Sequence, residues 1–361
     1  PDGQAVEAAE DQRVALAGTI SKDSTKSLAF AVENLSLANL EPYLGGPRLR
    51  GKVSGEGTVH DLYGEPFALA DVRADSIAVQ DKPVGDVRFK AGWAPGARSL
   101  DLAGTLTRGV VKALDFEGTM GLFDGGELDM KLLFDRFDLS FIDPYLPEGI
   151  SQIQGQVSGD LGMTGTLLDP QVSGTLDLVD AGLRIDYLNT LYRFTHRLKV
   201  APDMFALDQV HIRDEEGNEA IVNGTVLHQG LKRWNYNVGG RMQGLLVLNT
   251  TEADNSLYFG KAYATGDLEV SGEEGTLEIT VDARTAPGTF MHFPLGGSTE
   301  VSSIGFVKFV SEQQEAEEEL PVDLSGVSLD LKVAVTPDAR MELIFDPTIG
   351  DILTGSGTGN L

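Results

Sequence analysis

Residues 264–284 decide the fold, and they read Ala-Thr-Gly-Asp-Leu-Glu-Val-Ser-Gly-Glu-Glu-Gly-Thr-Leu-Glu-Ile-Thr-Val-Asp-Ala-Arg. Apolar and polar side chains alternate on both sides of residues 272–275, which read as a hairpin turn. Alternation with period two places successive side chains on opposite faces of a β-strand. The stretch therefore predicts two paired strands, each with one apolar and one polar face.

The same alternation recurs at 100–106, 128–134, 172–178 and 329–335. Glycine supplies 43 of 361 residues, about 12% against a usual value of about 7%, and in sheets it marks bends and bulges. The best helical candidate is 187–198, but Tyr192 and Phe194 are strand-friendly and no capping residue precedes it. The sequence predicts an all-β fold, an elongated, curved and mostly antiparallel sheet.

An internal repeat organises the first half of the chain. Residues 35–44 (Leu-Ser-Leu-Ala-Asn-Leu-Glu-Pro-Tyr-Leu) align with 137–146 (Phe-Asp-Leu-Ser-Phe-Ile-Asp-Pro-Tyr-Leu), and 51–55 with 155–159. The repeat predicts stacked units at about 35–81 and 137–186 within a first part, 1–182. Two β-sandwich domains of about 100 residues each are the alternative. The second part, 183–361, carries an acidic run at 311–321, which a solvated loop explains better than a partner-binding one.

The charge and composition exclude several classes of protein. With 55 acidic and 28 basic residues the formal charge is −27, which disfavours binding to nucleic acid and to anionic lipid head groups. Solubility and adaptation to a salt-rich medium both explain such acidity. No cysteine is present, so disulfides are excluded. No apolar run approaches the roughly 18 residues of a membrane span. The two ends of the sequence suggest a piece of a larger protein.

No pattern of catalytic or metal-binding residues is present. The five histidines show no metal-ligand spacing, and neither a Gly-x-Ser-x-Gly elbow nor a P-loop occurs. The glycine-rich residues 355–359 are surrounded by strand-like sequence and lack the helix that a phosphate loop needs, so we expect a turn or a bulge there. Residues 214–219 (Asp-Glu-Glu-Gly-Asn-Glu) lack the spacing of a calcium loop, and we expect a hairpin turn. We predict a protein that is not an enzyme and has no cofactor or metal. The histidines are His60, His196, His211, His228 and His292.

A sheet with one apolar face must bury that face. Without helices, either a second sheet covers it or the sheet curls into an open apolar groove. Such a groove suits acyl chains, because each buried CH₂ contributes about 0.8 kcal/mol and no directional contact is needed. The residues predicted to line this groove are Ala264, Leu268, Val270, Leu277, Ile279, Val281, Leu329, Leu331, Val333, Val335, Leu176 and Leu178.

Several long motifs in one order resemble the TamB family (translocation and assembly module subunit TamB) of the AsmA-like superfamily. The similarity is to its C-terminal part, in the form found in Bacteroidota-like bacteria, and is dense over 183–361 and weaker over 35–183. The motifs are 245–255 (Leu-Leu-Val-Leu-Asn-Thr-Thr-Glu-Ala-Asp-Asn), 258–266, 279–289, 294–302, 335–339 and 344–352.

The resemblance implies a β-taco, a long bent sheet with an apolar interior, in a periplasmic protein that spans from the inner to the outer membrane. It implies an N-terminal helix in the inner membrane and a C-terminal contact with an outer-membrane barrel of the BamA/TamA type. Its implied cargo is phospholipid, bound through acyl chains. The alternatives are a scaffold for assembling outer-membrane barrel proteins or autotransporters by β-augmentation, and a structural array of β-sandwich domains.

Overall fold

The computed structural model describes residues 12–40, 48–79, 81–121, 126–146, 149–166, 169–229, 232–273, 275–294, 327–346 and 351–360. Within these ranges the chain forms strands and two 3₁₀ segments, η1 and η2, and no α-helix. The strands are β1 (Arg13–Gly18), β2 (Ser27–Ser36), β3 (Leu49–His60), β4 (Phe67–Val79), β5 (Lys82–Trp93), β6 (Ser99–Arg108), β7 (Val111–Gly121), β8 (Glu127–Asp138), β9 (Ile150–Thr166), β10 (Pro170–Ile185), β11 (Thr190–Ala201), β12 (Met204–Arg213), β13 (Glu219–Gln229), β14 (Lys232–Thr250), β15 (Phe259–Glu273), β16 (Thr276–Thr285), β17 (Phe290–Pro294), β18 (Val327–Val335), β19 (Arg340–Asp346), β20 (Asp351–Ser356) and β21 (Gly359–Asn360); η1 is Leu37–Leu40 and η2 is Leu139–Tyr145.

All strands belong to one sheet, in which β1 to β16 pair antiparallel with their neighbours in chain order. Beyond β15 the sheet branches, because β16 and β17 share the same edge of β15. The pairs β16–β18 and β17–β19 are parallel. Among the described residues no pairing joins β1 to the far end of the sheet. The sheet is therefore long, mostly antiparallel and not closed, as the sequence predicted.

Six β-bulges bend the sheet along one line, which we call the bulge line. At each, one residue with positive φ interrupts the pairing, and its backbone N–H donates to a side-chain oxygen of the next strand at 2.7–3.1 Å. Bulges bend the strand that carries them and increase its twist. The six pairs, with the acceptor second, are Asn34–Ser54, Ser76–Asp86, Arg136–Ser158, Asp180–Thr195, Gln209–Asn223 and Gly244–Thr265.

The residue after each bulge is apolar, and most of these residues are deeply buried. Phe137, Ala181, Val210 and Leu245 are 5%, 1%, 4% and 3% exposed. Two hydrophobic clusters form around them, one with Phe137 and Ala181 and the other with Leu245. The well-packed interior of the protein therefore follows the bulge line.

The strands β1 to β16 follow one another across this sheet at about 4.8 Å per strand, so the sheet is elongated. A single sheet also replaces the pair of β-sandwiches that the sequence left open as an alternative.

Most local predictions are confirmed. Residues 264–271 and 276–284 lie in β15 and β16, residues 187–198 form a turn and then β11, and residues 214–218 form the β12–β13 turn. The turn predicted at 272–275 is tighter, since β15 runs to Glu273. In both copies of the repeat, a strand with a bulge is followed by a 3₁₀ segment, η1 in the first copy and η2 in the second. The boundary at 182/183 falls inside β10, and the division into parts stays a prediction. The acidic run at 311–321 lies outside the described residues.

Candidate functional site: the apolar face of the sheet

A row of apolar residues crosses ten neighbouring strands; nine strands contribute a side chain, and β9 contributes Gly159, which has none. Directly paired residues lie on the same face of a sheet, so the register of the ladders defines the row. It runs from β2 to β11 through Leu35, Val53, Ala74, Val87, Leu106, Leu114, Phe134, Gly159, Leu176 and Leu198.

A second row continues on the same face toward the C-terminal end of the sheet. It begins in β10, where Leu178 and Ala181 pair with His196 and Phe194, two residues that point to one side of β11. The row ends in β18 and passes through Ala181, Phe194, Ile212, Ala220, Met242, Gly266, Ala283 and Val333. Together the rows make one apolar face that extends about 70 Å at about 4.8 Å per strand.

The predicted lining residues fall on this face in two groups. Leu268 pairs with Val281, which pairs with Leu331, and Val270 pairs with Ile279, which pairs with Leu329. Ala264, Leu277, Val333 and Val335 belong to the same three strands. Leu176 and Leu178 lie on β10, five strands from β15, or about 24 Å along the sheet. Their role as a lipid lining stays a prediction.

Burial divides the face into a packed part and a more open part. Near the bulge line Met242 is 3% exposed and Ala264 8%, with Leu268 and Val281 packed partly buried against them. Farther out, Leu329 and Leu331 are 53% and 47% exposed. Apolar side chains on the outer part of the face therefore remain accessible.

Behind β14, β15, β16 and β18 the opposite face is polar. Asp267 lies opposite Asp282 in the β15–β16 ladder, and Asp282 lies opposite Lys332 in the β16–β18 ladder. Arg241 Nε donates to Asp267 Oδ1 at 2.9 Å, with both side chains largely exposed. Exposed pairs of this kind add little stability, so this face serves mainly to interact with water.

A buried carboxylate fixes the turn between β12 and β13. Asp214 is 4% exposed and accepts hydrogen bonds from the backbone N–H groups of Glu216, Asn218 and Leu246 at 2.8–2.9 Å. Leu246 is 1% exposed, so its N–H has to be satisfied inside the protein. The sequence predicted a hairpin turn here, as observed, but it missed this structural role because the contact to Leu246 spans 32 residues.

Tyrosine hydroxyls near this turn join separate strands. Tyr192 donates to the Leu246 carbonyl at 2.9 Å, and burial raises the pKa of Tyr192 to about 12. Tyr263 donates to Glu216 at 2.8 Å, and burial together with this carboxylate raises the pKa of Tyr263 to about 12. Hydrogen bonds from Tyr263 and Lys261 lower the pKa of Glu216. The shifts follow from a structural network rather than from a reactive centre.

Among the described residues no group of three or more acidic or histidine side chains could hold a metal ion. In those same ranges no helix is long and apolar enough to cross a membrane. The feature that remains is an extended apolar surface beside a polar one, which can bind apolar molecules without directional contacts.

Comparison with known families gives a match in the C-terminal part of the chain. Residues 208–361 match the TamB C-terminal domain, which is the part where the sequence motifs are densest. Searches of curated proteins and of solved structures found no match. TamB proteins are transport and assembly modules of the bacterial envelope rather than a known enzyme family. The C-terminal part of the chain, residues 208–361, is therefore similar to the TamB C-terminal domain.

Proposed function

We propose that this chain is the periplasmic part of an envelope-spanning bridge, and that it carries phospholipid between the inner and outer membranes along its apolar face. The observation that carries the proposal is the continuity of that face from β2 to β18. Apart from η2, no second layer covers the face in the described ranges. Curved at the bulge line, the face forms the predicted groove.

The chemistry of the groove suits an acyl chain. An acyl chain offers only CH₂ and CH₃ groups, which gain from burial at any point along an apolar row. Side chains that repeat from strand to strand provide near-equivalent positions about 4.8 Å apart, so a chain can advance without breaking a specific contact. The acidic outer face repels anionic head groups at the flanks.

The partners that we propose are those of the TamB family. TamB proteins associate with an outer-membrane partner of the TamA type, and we propose a BamA/TamA-type barrel at the C-terminal end and an inner-membrane helix at the N-terminal end of the full-length protein. Such a bridge lies in the periplasm.

A second function is favoured by a specific feature of β18. This strand pairs along one edge with β16, but on its other edge only Ala334 and Val335 pair, with β21. Among the described residues the rest of that edge is free. A free edge can accept a strand from a client barrel protein by β-augmentation, so a scaffold for barrel assembly is the second candidate.

Photo-crosslinking tests the first function. We would place benzoyl-phenylalanine at Leu268, on the apolar face, and as a matched control at the neighbouring Glu269 on the polar face. After incubation with phosphatidylethanolamine vesicles and illumination, we expect a phospholipid adduct at position 268 and none at 269. Equal adducts at both positions, or adducts at neither, would contradict the proposal. An unfolded barrel substrate that attaches at β18 in the absence of any lipid adduct would favour the scaffold.

A further inference from the structure

We propose that η2 is a strap across the groove, an inference that rests on the groove proposed above. The strap must lift before an acyl chain can pass the strands beneath it. The strap comprises Leu139–Tyr145, with Asp138 as its N-cap. It contacts both β5 and β9, which lie four strands apart in the sheet, or about 19 Å. The segment therefore runs across the strands instead of extending one of them.

The strap lies on the apolar face and occupies space that a cargo would need. Leu139 is 7% exposed, and Phe141 and Ile142 pack against the cluster that contains Leu106 and Phe137. The rings of Phe137 and Phe141 meet edge to face with centroids 4.7 Å apart. Leu106 and Phe134 belong to the continuous apolar row, so the strap covers the row at this point.

Two ion pairs hold the strap to the rim of the sheet. Arg108, at the end of β6, pairs with Asp138, and Lys82, at the start of β5, pairs with Asp143 at 3.0 Å. Asp143 also accepts the backbone N–H of Ile153 at 3.1 Å. Both cationic side chains are partly exposed, so the two ion pairs are each weak and reversible.

The internal geometry of the strap gives it little stability of its own. A 3₁₀ segment of seven residues exceeds the usual three to four, and its hydrogen bonds are poorer than those of an α-helix. Its position depends on the apolar contacts and on the two ion pairs. Such a segment can leave as a unit when a competing apolar chain replaces its contacts.

The first repeat copy provides an internal comparison. Ser36 stands where the second copy has Asp138, and η1, described as Leu37–Leu40, contacts β2 and β3. Its polar contact is from Asn39 Nδ2 to Gln12 Oε1 at 2.9 Å, on the exposed surface. Ser36 carries no charge, so the first copy has no counterpart of the Arg108–Asp138 ion pair at this position.

A covalent tether tests the strap directly, because the chain has no cysteine of its own. We would replace Lys82 and Asp143 with cysteine and join them with a short bis-maleimide, using the same variant capped with N-ethylmaleimide as the control. Benzoyl-phenylalanine at Phe134, beneath the strap, and in a parallel protein at Leu268, away from it, reports phospholipid taken from phosphatidylethanolamine vesicles. We expect the tether to abolish the adduct at 134 and to leave the adduct at 268.

A second variant opens the strap instead. Asp138→Ser introduces the residue of the first repeat copy, and we expect several-fold faster amide exchange over 139–146 and more adduct at 134. An adduct at 134 that neither the tether nor Asp138→Ser alters overturns the strap and leaves the groove intact. Adducts at neither 134 nor 268 in the untethered control overturn the groove and the strap with it.

Discussion

The bulge line and the outer part of the apolar face share one sequence pattern but differ in packing. At the bulge line Phe137 and Ala181 are 5% and 1% exposed, whereas Leu329 and Leu331 on β18 are about half exposed. All four side chains belong to the same face of one sheet. The difference indicates two tasks for apolar side chains, since those at the bulge line hold the sheet in its curved form and those farther out remain available to a ligand.

Removing a side chain at the bulge line should have the largest effect on stability. For Phe137→Ala we expect a loss of about 3–5 kcal/mol in the free energy of unfolding, because the large side chain leaves a cavity in a packed cluster. Urea denaturation followed by circular dichroism measures it. The matched change on the open part of the face, Leu331→Ala, should cost under about 1 kcal/mol, since this side chain is already half in water. Equal losses at both positions would remove the distinction between the two regions.

Replacement of Asp214 in the buried β12–β13 turn should cause the next largest loss of stability. Asp214→Ala leaves the N–H of Leu246 without a partner in a buried position, and each such group costs about 1–3 kcal/mol. We expect a corresponding loss of thermal or urea stability. Glu215→Ala, one residue along and exposed, is the control and should change little. If Asp214→Ala were as stable as the control, the turn would be a simple solvated loop.

The buried tyrosines predict a loss of stability at high pH. Burial raises the pKa of Tyr192 to about 12 in the folded protein, above about 10 in an unfolded chain. The unfolded state therefore releases this proton first, and the stabilising contribution is complete below pH 10 and is lost as the pH rises through about 12. Unfolding experiments between pH 9 and pH 12 should show this decline, and Tyr192→Phe should make it shallower. A decline that is identical in the variant would assign the effect to other groups.

Replacing a bulge residue with glycine should raise the free energy of unfolding slightly. Arg136 has φ of 50°, a left-handed conformation that costs a residue with a side chain about 1–2 kcal/mol, partly offset by the entropy that glycine loses on folding. We expect Arg136→Gly to raise the free energy of unfolding by about 0.5–1 kcal/mol in urea denaturation. The same change at Arg193, which lies in a regular part of β11, should destabilise. A loss at both positions would argue against strain at the bulge.

The sequence predicts the strands well because each one alternates over many residues, as in the hairpin at 264–284. The bulges break the alternation by a single position, as in Phe134-Asp135-Arg136-Phe137 and Leu207-Asp208-Gln209-Val210, where two polar residues separate the apolar ones. Two adjacent polar residues in a strand can indicate a bulge, but they also occur in ordinary loops. Only the pairing with the neighbouring strand distinguishes the two. An apolar face was predictable in kind, since it follows from the alternation. Its extent was not, because only the register shows which side chains share a row.

The structural role of Asp214 and the position of the strap could not be predicted from the sequence, for the same physical reason. Asp214 depends on Leu246, and η2 depends on Lys82 and Arg108, residues 30 or more positions away. Local composition cannot show contacts over such distances.

Replacement of Val281 by arginine tests whether the apolar face carries phospholipid. Val281 is only partly buried, so an arginine there can extend its charged end to water; we expect a folded, soluble protein with which phospholipid no longer co-purifies. Asp282→Arg, on the polar face of the same strand, should fold and retain phospholipid. A folded Val281→Arg protein whose extracted lipid equals that of the unaltered chain would contradict the account.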